Sequence, residues 1–182
     1  DANYRITPLF TAGDTVVGTT GTYNSGSAGS YTPPGIFDGI GAYELDANTV
    51  RIFVNHELEP EQGYSYSLAS GVTVTGARIS YFDVNKATRE VVDSGLAYDA
   101  IYDRTGALVT SSQQMNELDT TTKGFDRMCS SALFEPNEFG TGRGVVDRIY
   151  FNGEEASKGF GHPHGGTVWA LDVANGDMHA VP

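Results

Sequence analysis

The chain has 182 residues, 39% of them apolar and 19% charged, and carries 11 basic against 23 acidic side chains for a net charge of -12. That is enough apolar mass for one domain with a sizeable core and too much for a disordered chain. The acidic excess repels nucleic acid and anionic membranes and suits hard cations, although by itself it equally suits plain solubility.

No run approaches the ~18 apolar residues of a membrane span. The single cysteine, Cys129, rules out an internal disulfide framework. The 23 glycines, 10 tyrosines and 9 phenylalanines, set in short runs, favour an all-β architecture. The chain opens on Asp1 rather than Met. We read it as a mature chain whose signal has been removed, secreted, periplasmic or at the cell surface.

In chain order, residues 1–35 form an N-terminal loop or extended segment. Thr19 to Pro34 is a long Gly/Ser/Thr-rich loop stopped by Pro33-Pro34-Gly35. A phrase then recurs: an aromatic-containing strand, an Asp/Asn turn and a second strand. It runs through Tyr43, Asp46, Asn48 and Val50–Val54, then through Ser80, Asp83, Asn85 and Arg89–Val92. A weaker copy surrounds Asp103 and Gly106, and the last runs through Val168, Asp172, Asn175 and Met178–Val181. Each is a β-hairpin, because Asp and Asn accept turn hydrogen bonds and tolerate left-handed backbone.

The turns at Asp46, Asp83 and Asp172 are spaced by roughly one and two units of the ~40–50-residue period of propeller blades. A β-sandwich is the other all-β reading. On the propeller reading, residues 36–182 supply about three to four blades, the N-terminal part of a larger wheel. Helix is scarce. Ser112–Leu118 is a loop with a helical turn, ended by Asp119 and Thr120–Thr122, which are poor helix formers.

The ionisable residues cluster at strand ends. His56-Glu57 follows the β-type run 49–53, and Glu154-Glu155 follows the run 146–151. A zinc-protease helix is excluded, because the second histidine it needs is replaced by Pro60 and the segment continues a strand. His162 and His164, in the Gly-rich stretch Gly159–Gly166, could chelate a metal or simply stand in a surface loop. Cys129 is either a small buried apolar residue or, with Arg127 and hydroxyls beside it, a thiolate ligand. Neighbouring side chains in a strand face opposite ways, so only one of Glu154 and Glu155 can face a site. A carboxylate buried there needs a cation.

Taken together, Asn55-His56-Glu57, Cys129-Ser130-Ser131 and Gly153-Glu154-Glu155 resemble the PhoX-type alkaline phosphatases and their less characterised secreted relatives. In that family the middle motif is usually Asn-Cys-Ala-Gly-Gly, and a later strand ends in Cys-Glu-Glu. Here the middle motif reads Met128-Cys129-Ser130-Ser131-Ala132, and Gly153 stands where the second Cys would be. Gly76–Asp83 and Gly165–Asp172 are closer to the less characterised branch.

The resemblance implies a six-bladed β-propeller with a metal cluster in its central channel, iron (Fe3+) bridged by a cysteine thiolate and calcium (Ca2+) held by carboxylates. On motif position Cys129 is an iron ligand, Glu155 an iron or calcium ligand and Glu57 a further ligand. His56, Glu154, His162 and His164 are secondary candidates. The remaining ligands would lie beyond Pro182, in the same chain or in another.

The implied activity is phosphoric-ester hydrolysis on a small phosphate ester. The alternative is a non-catalytic, secreted calcium-binding propeller that engages a surface or partner. A haem-type use of Cys129 with His162 or His164 lacks the Cys-x-x-Cys-His attachment motif.

Overall fold

The computed structural model describes residues 6–18, 29–115, 124–156 and 166–181. His162, His164, Asn116–Lys123 and most of the loop at 19–34 lie outside the described residues. The architecture is all-β. Its one helical element among the described residues is a 3-10 turn at Ser112–Met115, where a helical turn is expected from the sequence. No described helix is long and apolar enough to cross a membrane.

Two meanders dominate. In the first sheet, strands β3 (Phe37–Glu44), β4 (Thr49–His56), β7 (Arg78–Asn85) and β8 (Val91–Leu96) lie in that order, all antiparallel. In the second, β11 (Met128–Phe134), β12 (Ile149–Glu154), β13 (Val168–Asp172) and β14 (Asp177–Ala180) do the same. Strand β9 (Ala100–Tyr102) adds to the outer edge of the second sheet, parallel to β14. The three clear hairpins expected from the Asp/Asn turns are present, while the weaker copy around Asp103 and Gly106 forms only an isolated antiparallel bridge, Tyr102 with Leu108. Asp46 Oδ1 accepts from Asn48 N, Asn85 Oδ1 from Ala87 N and Thr88 N, and Asp172 Oδ1 from Ala174 N.

Two smaller pieces were not legible in the sequence. Strands β1 (Val16–Gly18) and β2 (Gly29–Tyr31) form a ribbon within the segment read as loop, and it packs near β8. Strands β5 (Tyr66–Ser67), β6 (Thr73–Gly76) and β10 (Gly124–Phe125) form a three-stranded patch between the meanders.

The main core lies between the meanders. Phe53, Ile79 and Tyr81 of the first sheet meet Tyr150, Trp169, Leu171 and Met178 of the second. The opposite face of the first sheet buries Val54 and Phe82 under Tyr31. Strand β7 is therefore covered on both faces and loses polar alternation, with seven consecutive buried residues from Arg78 to Val84. Its buried Asp83 accepts a bidentate pair from Arg51, at 2.7 Å for each contact. The inner strands β3 and β11 are edge strands of their sheets and lie against each other. That junction carries the ionisable residues.

Candidate metal centre

Both edge strands are bulged where they meet. In the β3–β4 pair the register slips between Phe37, opposite His56, and Ile40, opposite Val54. In the β11–β12 pair Met128 faces Glu154 while Ser130 faces Gly153, so Cys129 is the extra residue. The thiol thus sits in a strand, re-aimed by a bulge. Two residues ahead of each bulged ligand the backbone is left-handed at a non-glycine, with φ 55° at Ile36 and 41° at Arg127. Such positions, β-branched Ile36 above all, persist only where the surroundings impose them.

Backbone hydrogen bonds stitch the strand ends together. Glu57 N donates to Ile36 O at 2.9 Å, Arg127 N to Leu58 O at 2.8 Å, and Glu155 N to Arg127 O at 2.9 Å. Gly39 lets the strands touch: a Cβ there would stand 2.8 Å from Cys129 O, 2.6 Å from Ser131 Oγ and 2.8 Å from Asn55 Nδ2. No side chain fits that gap.

The result is one set of ligand atoms. A carboxylate oxygen of Asp38, one of Glu57 and the sulfur of Cys129 all lie within 4.8 Å of one another. Glu155 joins through the sulfur, which lies 3.3 Å from Glu155 Oε2 and 3.3 Å from Arg127 O. Burial, then Glu57 and Glu155 as hydrogen-bond partners, push the thiol well above its ordinary range. A proton held among carboxylates marks a place where a cation would be stabilised in its stead. As donors, a thiolate sulfur would suit iron and not calcium, and the carboxylates would suit either ion. Arg127 closes the rim, its Nε 3.3 Å from Asp126 Oδ1 and its Nη2 donating to Glu155 O.

The candidates from sequence divide. Glu57, Cys129 and Glu155 come together, and Asp38 joins them unanticipated. Nothing in the local sequence singles it out. Glu154 turns the other way: Oε1 accepts from Asp126 N at 3.0 Å and Oε2 from Thr167 N at 3.1 Å, so it ties two loops to β12.

His56 is fully buried and stands apart from the set. Its Nδ1 lies 3.1 Å from Gly35 O and its Nε2 2.7 Å from Ser80 Oγ, which in turn pairs with Tyr31 Oη at 2.6 Å. Burial is the main force lowering its pKa to about 4; the Gly35 carbonyl opposes it and the charge of Arg78 assists. With both ring nitrogens engaged, His56 anchors the N-terminal segment. Comparison with known proteins returns no matching family model, no matching curated protein and no matching solved structure.

Proposed function

We propose that the chain is part of a secreted, metal-dependent phosphoric-ester hydrolase of the PhoX type, with the two meanders as two blades of a six-bladed β-propeller. What carries the reading is the meeting of Asp38, Glu57 and Cys129, with Glu155 on the sulfur, at the junction of two inner strands. Four-stranded meanders side by side, innermost strands touching, are what neighbouring blades require. The other blades would come from the same chain or another.

In this role Cys129 and Glu155 would hold iron, and Asp38 and Glu57 would share it or hold calcium. When bound, such ions neutralise phosphoryl oxygens and supply a nucleophile near neutral pH. The chain's own contribution is positional. The bulges aim the ligands, the stitched backbone keeps their spacing, and Arg127, clamped by Asp126, brings a fixed guanidinium to the rim for an anionic ester.

The test is iron and calcium analysis of the purified protein together with para-nitrophenyl phosphate hydrolysis. Near-stoichiometric iron with calcium, and loss of both iron and turnover in Cys129→Ser with unchanged circular dichroism, is the expected result. Iron content untouched by that substitution would sink the assignment. Calcium without iron would turn the reading to a calcium-binding propeller with no hydrolytic role, which the exposed carboxylate of Glu155 would also serve.

A further inference from the structure

The two halves of the ligand set belong to different sheets, Asp38 and Glu57 to the first and Cys129 and Glu155 to the second. A metal centre divided in this way is only as well formed as the joint between the sheets. Among the described residues, a fully buried tyrosine spans that joint. Tyr150, on β12, crosses to the first sheet and places its hydroxyl between two acceptors, Gly39 O at 3.1 Å and Asn55 Oδ1 at 3.2 Å.

Gly39 immediately follows Asp38 in the bulge, and Asn55 lies two residues before Glu57. Asn55 Nδ2 in turn reaches Ser130 O, next to Cys129, at 3.5 Å. The ring is held from both sides. It stacks on Phe53 with centroids 5.1 Å apart, and a Cβ at Gly41 would lie 2.6 Å from its Cε2. Gly41 thus leaves on β3 the space this ring occupies.

We propose that Tyr150 is the positioning residue of the centre: its hydroxyl fixes the distance between the Asp38–Glu57 half and the Cys129–Glu155 half, and so sets how tightly the centre takes its ion. The inference rests on the metal-centre reading above. The hydroxyl touches no ligand atom and acts through the backbone at Gly39 and the amide at Asn55. Partners one step removed from a metal alter affinity by roughly 10- to 100-fold when they are lost.

Cobalt(II) is the probe, because a cobalt–thiolate bond gives a near-ultraviolet charge-transfer band that reports Cys129 directly. Tyr150→Phe keeps the ring in its slot and removes only the hydroxyl. It should weaken cobalt binding about tenfold or more and reduce the band, with a melting temperature near that of the wild type. Asn55→Ser, which removes one of the two acceptors, should do the same and reads the idea if the first variant folds poorly. Met178→Val, in the core on the far strand β14, is the control: it should lower the melting temperature and leave cobalt affinity alone. Equal cobalt affinity in Tyr150→Phe and wild type would overturn the inference and leave the metal centre standing. So would an equal loss in Met178→Val, which would show that general loosening is enough. A wild-type protein without the thiolate band would overturn the metal centre itself, and the role of Tyr150 with it.

Discussion

At the scale of single residues, neighbours in sequence have separable duties. Glu154 accepts two backbone donors and Glu155 meets a sulfur, so their amide variants should fail differently. Glu154→Gln puts an NH2 group against a backbone N–H and should cost about 1–3 kcal/mol in urea unfolding with bound iron unchanged. Glu155→Gln should release iron and leave the unfolding midpoint of the metal-free protein nearly unmoved. His56 gives a pH signature. Its pKa is about 4 in the folded chain, below the ordinary 6.5, so the unfolded state takes up the proton first. Stability is therefore full above about pH 6.5 and falls as pH drops toward 4, by about 3 kcal/mol in all. In His56→Gln that part of the slope should vanish from the melting temperature plotted against pH.

The alternation argument that separates Glu154 from Glu155 applies equally to His56 and Glu57, and the histidine could have been set aside on that ground. Asp38 was out of reach. Phe37-Asp38-Gly39-Ile40-Gly41 spells loop and strand equally well, and only a bulge paired against β4 turns its carboxylate toward Cys129.

At the scale of strands, the hairpins were legible because Asp and Asn announce their turns locally. Strand limits were less so: β4 continues through His56, and β12 starts at Ile149 and runs to Glu154. The parallel pairings of β10 with β6 and of β9 with β14 join residues far apart in sequence, and no local pattern encodes them. A close approach between the sheets rests on Gly39. Gly39→Ala forces a methyl group to within 2.8 Å of Cys129 O, a backbone atom that cannot swing aside. The expected result is a loss of about 1–3 kcal/mol in urea unfolding, accompanied by loss of iron. Unaltered iron content would mean that β3 and β11 can separate without opening the centre.

At the scale of the whole molecule, the proposed centre, with its ligands drawn from two sheets, would couple ion binding to the assembly of both. An ion held only by the folded chain adds about 2.7 kcal/mol at a hundred times its dissociation constant. For a chain of this size that is roughly 5–10 °C in melting temperature, reversed by a chelator. A calorimetric scan with calcium, with iron and with EDTA checks it.

The parallel strand β9 has a consequence of another kind. It follows β8 after only Ala97–Asp99, yet its partner β14 begins at Asp177. During synthesis the first meander can close while β9, held locally only by the bridge from Tyr102 to Leu108, waits for β14 to arrive. High contact order of this sort slows folding. Fragments 1–111 and 112–182, refolded apart, should each lack a native edge, the first with β9 missing its partner β14 and the second without its outer strand. Mixed before refolding, they should recover one cooperative transition, so that a chain cut at a single place still behaves as one body.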